Sequence, residues 1–241
     1  MKPVAIFRVA PSEGPGYFDT YLKNRSIASQ LVALDAGAPV PRDARRFAGL
    51  VFMGGPMSVN DDLSWIIPAL ELVRDAVRKD VPVLGHCLGG QLMSKAFGGT
   101  VRASPVREIG WGEVRVCDNQ VARDWLGGGP GSAPAFESFH WHGETFSIPP
   151  GATRILENAH CANQAFALGK HLGLQCHVEM TEALIGAWLS GGADEIRDHA
   201  ASPGVQTPKE IEKNVAARLA ALHAVADRIY DRWIEGLSRG S

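Results

Sequence analysis

At 241 residues and 45% hydrophobic content, the chain is long enough to bury a substantial core as one α/β unit. A formal net charge of −2 gives no basic excess for nucleic acid or an anionic membrane surface, and no acidic run forms a tail. The four cysteines (Cys87, Cys117, Cys161, Cys176) show neither disulfide-framework density nor C-x-x-C metal spacing, so a reducing, cytoplasmic compartment is expected. The N-terminus runs directly into a strand-like segment without a signal-peptide pattern, and no apolar stretch is long enough to span a bilayer.

In chain order, Val4 to Val9 reads as a first buried strand, broken by Gly14-Pro-Gly16, and Tyr17 to Lys23 as a short helix. Ile27 to Leu34 is expected to form a second strand, and Pro39 to Arg46 a loop. The apolar run from Gly49 to Met53 ends in Gly54-Gly55-Pro56 and has the length of a buried strand. Ile67, Leu70, Val73 and Val77 recur at helical spacing within residues 66–79, and Val81 to Leu84 is the next strand. Strands alternating with helices imply a parallel sheet with crossovers.

Gly85-His-Cys87-Leu-Gly89 follows that strand and opens a helix running to about Phe97. This is the cysteine version of the nucleophile elbow, with glycines flanking a sharp apex where a β-carbon would collide. A helix N-terminus beneath the sulfur favours thiolate over thiol.

Beyond the elbow helix the pattern changes. Glu108 to Val116 alternates, and Gly127 to Gly131 reads as a flexible surface loop. Ala162 to Leu168 and His171 to His177, joined by Gly169-Lys170, carry a hairpin signal. The stretch from about 100 to 177 is therefore expected to continue the sheet in antiparallel fashion. Thr181 to Leu189 reads as a short helix. Thr207 to about Leu237 reads as a helix, with a stripe of Ile211, Val215, Leu219, Leu222, Val225, Ile229 and Trp233 that needs a packing partner.

A thiolate nucleophile needs a base, and the base needs a third group to orient it. His177 and Glu179 are two apart, so in an extended segment they face one side and can present imidazole and carboxylate together. Alone, His-x-Glu reads equally as an exposed histidine before the first-turn acid of a helix; beside an elbow cysteine, the base and its orienting partner are the better reading. His86 is expected in the packing around the elbow. His140 and His142 alternate on one strand face but lack a third metal ligand, so a binding loop is favoured over a metal site. His160, His171, His199 and His223 are expected at the surface.

Acyl chemistry on a thiolate develops an oxyanion, for which the Leu88 amide at the helix start is one natural donor. The Gly54-Gly55-Pro56 turn is the candidate source of the second. Gln91, one helical turn beyond Cys87, could meet a polar substrate.

Five segments carry a family likeness: Val51-Phe-Met-Gly-Gly-Pro-Met-Ser-Val-Asn60, Pro82-Val-Leu-Gly-His-Cys-Leu-Gly-Gly-Gln91, Glu108-Ile-Gly-Trp111, Trp141-His-Gly-Glu144 and Gly173-Leu-Gln-Cys-His-Val-Glu179. Together they resemble the class I glutamine amidotransferases, in particular free-standing proteins similar to the glutaminase domain of GMP synthase. The resemblance covers roughly residues 1–190. It implies an open, mostly parallel α/β sheet of flavodoxin-like type, to which the residue pattern adds the antiparallel extension and, at residues 191–241, a C-terminal helical extension expected to pack on the same domain.

Residue by residue, the resemblance implies Cys87 as nucleophile, His177 as base, Glu179 as its partner, and Gly55 and Leu88 as oxyanion donors. Gln91 and the backbone around Trp141, His142, Gly143 and Glu144 would hold the α-amino and α-carboxylate ends of the substrate. No cofactor and no metal are implied. The implied substrate is glutamine, with ammonia passed to a synthetase partner chain, because no synthetase motif follows residue 190. The alternatives are a hydrolase of other γ-glutamyl amides and a non-catalytic binding or regulatory subunit. The chain departs from the family pattern at His177-Val178-Glu179, where His-Pro-Glu is usual, at Cys176, where phenylalanine is common, and at His86 beside the nucleophile. His86 could alter the thiolate or the choice of substrate.

Overall fold

Val4 to Phe7 alternate between two cores: Val4 and Ile6 point into one, Ala5 and Phe7 into the other. A strand apolar on both faces belongs in the middle of a sheet covered by helices on both sides. The computed structural model describes residues 2–129, 131 and 134–237. Pro130 of the expected glycine-rich loop lies outside the described residues.

The first half contains β1 (Val4–Arg8), α1 (Tyr17–Asn24), β2 (Ser29–Ala33), β3 (Gly49–Phe52), α2 (Ile66–Arg78), β4 (Val83–His86) and α3 (Leu88–Ala96). The second half begins with β5 (Val101–Val116), α4 (Gln120–Leu126), β6 (Ala135–Phe146), β7 (Thr153–Glu157), β8 (Ala165–Leu168) and β9 (His171–Leu174). It closes with α5 (Glu182–Gly191), α6 (Ala193–Asp198), β10 (Gly204–Val205), α7 (Pro208–Glu212) and α8 (Val215–Ile234).

Among the described residues, ten strands form one sheet in the order β10-β5-β7-β8-β9-β4-β3-β1-β2, with β6 paired to β5. The β2-β1-β3-β4-β9 portion is parallel, whereas β9-β8-β7-β5-β6 is antiparallel. The expected α/β architecture with an antiparallel extension is the one observed. Helices α2 and α3 cover one face through Leu70, Val73, Leu92 and Met93, and α1, α5 and α8 cover the other. Each of the large apolar side chains that α8 buries, among them Leu222, Ile229 and Trp233, contributes about 1.5–3 kcal/mol.

Several boundaries differ from expectation for physical reasons. The His171–His177 run leaves the ladder after Leu174, and the His177 amide instead donates to the Phe139 carbonyl at 2.8 Å. The C-terminal helix is two helices. Lys213 is extended and Asn214 takes a left-handed φ of 57°, a conformation asparagine tolerates, while the Ile211 carbonyl is drawn aside to accept the Trp111 indole N–H at 3.0 Å. Helix α4 is capped by the Asn119 side chain, which accepts from the Ala122 amide at 2.8 Å.

Residues beyond 190 are more than a helical extension. Val205 pairs with Ile109, and the Gln206 side-chain amide continues that ladder by accepting from the Trp111 amide and donating to the Trp111 carbonyl. Two of the four histidines expected at the surface are otherwise placed. His171 is buried, its Nδ1 accepting from the Val83 amide at 3.2 Å. His223 stacks on Tyr17 with ring centroids 3.7 Å apart, and its Nε2 donates to the Met180 carbonyl.

Candidate active site

The apex between β4 and α3 is as sharp as its glycines require. Cys87 has φ 49° and ψ −106°, in the left-handed half of conformational space that β-carbons disfavour. A β-carbon on Gly85 would stand 2.4 Å from the Gly89 backbone, and one on Gly89 would stand 2.1 Å from the Phe52 carbonyl oxygen. Leu88 is the first residue of α3, so its amide has no acceptor within the helix. The positive end of the helix lies under the sulfur.

His177 and Glu179 lie in the extended segment after β9, and their side chains meet with Nδ1 and Oε1 2.6 Å apart. Because Nδ1 is taken by the carboxylate, Nε2 is the ring nitrogen left for chemistry; it has no hydrogen-bond partner among the described residues. A β-carbon on Gly54 would lie 3.2 Å from His177 Cε1 and 3.7 Å from Cys87 Cβ, so imidazole and thiol converge over the bare Gly54 backbone. The Trp188 indole meets the imidazole edge-on at 4.8 Å between centroids, and its N–H is anchored on the Ser12 carbonyl. Glu179 is fixed from behind: its carbonyl accepts from the Tyr17 amide at 2.8 Å, an approach possible because the adjacent Gly16 has no side chain.

Burial alone would lower the proton affinity of His177, but the Glu179 carboxylate and Cys87 outweigh it and raise its pKa well above 6.5. Burial would raise the pKa of Glu179, yet the charges of His86 and His177 and the His177 hydrogen bond bring it down to about 2. The arrangement holds a proton on the imidazole beside the sulfur.

His86 is fully buried, as expected of an elbow flank. Its Nε2 lies 3.9 Å from Glu179 Oε2 and 3.3 Å from the Tyr230 hydroxyl of α8. The C-terminal helix thereby reaches the back of the His177–Glu179 pair.

A cleft of about 450 Å³ opens over Cys87 and is lined by Gly55, Gln91, His177 and the strand segment from Trp141 to Glu144. Gln91 is buried, with Nε2 donating to the Gln175 side-chain carbonyl at 3.2 Å and to the Glu144 carbonyl at 3.4 Å. The Trp141 carbonyl lies 3.9 Å from Cys87 Sγ. The His142 imidazole turns away from the cleft toward Glu108, so this residue lines the cleft with its backbone. The Glu144 carboxylate accepts from the Ser58 hydroxyl at 3.1 Å.

Four residues at the site escaped sequence reasoning. Gln175 donates to Cys87 Sγ at 3.5 Å, although nothing in its local pattern sets it apart. Glu13 stands over Gly54 at the cleft floor; burial raises its pKa to about 7, with His177 lowering it and Glu179 raising it. Arg107 and Glu195 form an ion pair at the rim, where Glu195 also accepts from the Trp141 indole N–H at 2.8 Å. Gly14-Pro-Gly16 after Glu13 was the available signal for the first loop. Glu195 carried none, because its approach depends on β10 returning the chain to the sheet.

An α/β sheet with a strained cysteine at a strand–helix turn, facing a histidine–carboxylate pair, has the layout of a nucleophile elbow. The chain belongs to the class-I glutamine amidotransferase family, whose pattern matches residues 18–188. It is 45% identical to a glutamine amido transferase of Methylobacillus flagellatus, with a TM-score of 0.95 over 100% of this chain and 97% of that one. It is 27% identical to the glutamine amidotransferase-like protein YfeJ of Salmonella typhimurium over 77% of this chain and 79% of that protein. The glutamine-hydrolyzing GMP synthase of Aeromonas salmonicida is 32% identical over 80% of this chain, which spans 36% of that enzyme's length. Among the described residues no helix is long and apolar enough to cross a membrane.

Proposed function

We propose that the chain hydrolyses the γ-amide of glutamine through a cysteinyl thioester, and that the ammonia released serves an acceptor enzyme. The observation that carries this reading is the 2.6 Å His177–Glu179 pair converging with Cys87 over Gly54. Cys87 Sγ attacks the γ-carbonyl carbon, and the carbonyl π electrons move onto oxygen, where the Gly55 and Leu88 amides donate to the oxyanion. The tetrahedral intermediate collapses, the C–N bond breaks, and the amide nitrogen takes the proton from His177 Nε2 and leaves as ammonia. A water molecule then gives its proton to Nε2 and attacks the thioester, and the C–S bond breaks to release glutamate. Glu179 keeps the proton on Nδ1 throughout and stabilises the imidazolium.

Gln91 and the 141–144 backbone would face the α-amino and α-carboxylate groups, with Arg107 a cation at the rim. The glutamine-hydrolyzing GMP synthases among the relatives support glutamine as substrate and a synthetase as acceptor. One observation favours a second substrate class: a cleft of about 450 Å³ falls in the range that takes ligands larger than a free amino acid, which suits other γ-glutamyl amides.

The test is steady-state release of ammonia and glutamate from glutamine, beside cleavage of γ-glutamyl dipeptides, by wild type and Cys87→Ala. Wild type is expected to release both products and the variant neither. Full activity in Cys87→Ala would overturn the site assignment. Fast dipeptide cleavage with negligible glutamine hydrolysis would replace glutamine with the wider substrate class.

A further inference from the structure

The pair His140 and His142, which lacked a third ligand in the sequence, acquires one in the fold. Strands β5 and β6 pair so that Glu108 lies opposite His142 and Gly110 opposite His140. All three side chains therefore project from one face, while Trp141 between the histidines projects from the other, toward the cleft. The donor atoms of Glu108, His140 and His142 lie within 4.8 Å of one another, and each of the three side chains is at least nine-tenths buried.

We propose that Glu108, His140 and His142 form a binding site for a divalent transition-metal ion of the zinc type, separate from the cysteine centre.

Three observations converge on this. Neither ring nitrogen of His140 has a well-formed hydrogen bond among the described residues, although the Gly112 backbone runs beside the ring; Gln164 Oε1 nearby is likewise unpartnered, and His142 Nε2 meets only the Glu108 carboxylate. So many unpartnered polar atoms in one buried place call for a common partner. The surroundings also match those of a metal ligand set. His142 Nδ1 donates to the Glu144 carbonyl at 3.1 Å, which turns Nε2 inward, and Nε2 is 3.2 Å from Glu108 Oε2. The Glu108 carboxylate is oriented by Asn158 at 2.6 Å and Gln164 at 2.9 Å. Finally, a cavity of about 210 Å³ lined by Glu108, His140, Asn158 and His160 offers an entry path and room for a water or anion as fourth ligand.

Two imidazoles and a carboxylate suit zinc rather than calcium or magnesium. Tetrahedral metal–ligand bonds of about 2.0–2.2 Å place donor atoms roughly 3.4 Å apart. The Glu108–His142 edge already has that spacing, so closure falls to His140. The ion would cross-link β5 to β6 directly behind the Trp141–Glu144 wall of the cleft.

The test uses the full chain carrying Cys87→Ser, so that the thiol of the cleft cannot bind metal, after chelator treatment and dialysis. Titration with Zn²⁺ is expected to give one ion per chain and a rise in Tm. Co²⁺ is expected to give visible ligand-field bands without the near-ultraviolet charge-transfer band of sulfur ligation. His140→Phe in the same background should weaken Zn²⁺ binding at least tenfold; should that variant not fold, Glu108→Gln makes the same test. The absence of stoichiometric Zn²⁺ uptake, a sulfur charge-transfer band, or uptake unchanged by these substitutions would overturn the proposal.

Discussion

Replacing Glu179 with glutamine removes the charge at the centre of the proposed mechanism while nearly preserving its shape. Glu179 is wholly buried, which by itself would raise its pKa, yet it is brought from 4.5 to about 2, chiefly by His86 and His177. That displacement corresponds to on the order of 3 kcal/mol in favour of the carboxylate. His177 holds a share of it, and the same coupling holds the proton on the imidazole. In the variant, burial prevails at His177 and the imidazolium is lost near neutral pH. At about 1.4 kcal/mol per power of ten, kcat/KM for glutamine is expected to fall by about one to two powers of ten. The assay is kcat/KM across about pH 5 to 9, run beside the rate at which iodoacetamide alkylates Cys87, with circular dichroism to establish that the variant is folded. Both rates should fall together near pH 7. A folded Glu179→Gln variant within about threefold of wild type in both rates would refute the role given to this pair.

Gly89→Ala is expected to lower Tm markedly, because its β-carbon would stand 2.1 Å from the Phe52 carbonyl and backbone must move, at a cost of about 1–3 kcal/mol or more. Gly186→Ala, in α5 with nothing within 4 Å of the new carbon, should raise stability by about 0.5–1 kcal/mol in the same thermal measurement. Glu13, with a pKa raised to about 7 by burial, should contribute an ionisation near that pH to the kcat/KM profile; its persistence in Glu13→Gln would assign it to another group. Stability should fall in two stages on acidification, read as Tm against pH. His140 and His171, lowered by burial from 6.5 to about 4, bind protons in the unfolded chain first, so stability is lost from about pH 6.5 down to 4. Glu108 and Glu179, at about 2 in the fold against 4.5, add a second loss as pH falls from 4.5 toward 2. His177 works in the opposite sense, its contribution being present below 6.5 and lost as pH rises through its raised folded value. A Tm independent of pH between about 6.5 and 3 would contradict these assignments.

The parts of the candidate site legible in the sequence are those whose geometry is local. A strand, three glycine-flanked residues and a helix necessarily make a sharp turn, so Cys87 could be singled out from Gly85 and Gly89 alone. His177 and Glu179 share a face because residues two apart in an extended chain do so, even though the strand ends at Leu174. Local reasoning failed where burial was decided by distant packing: His171 and His223 look alike in sequence to the exposed His199, yet one accepts from the Val83 amide at the start of β4 and the other stacks against Tyr17.

What the sequence by itself determined is the elbow, the alternation of strands and helices, and the apolar stripe of the last helix, each encoded within a few turns of one segment. What only the tertiary structure decided is which distant groups meet. Cross-strand register set Glu108 against His142. The return of β10 to the sheet brought the region of Glu195 to the cleft rim, and packing of α8 placed Tyr230 behind His86 and Glu179. The physical reason is that register and helix docking are set by burial summed over whole faces of the sheet. No window of sequence around any one of these polar residues contains that sum.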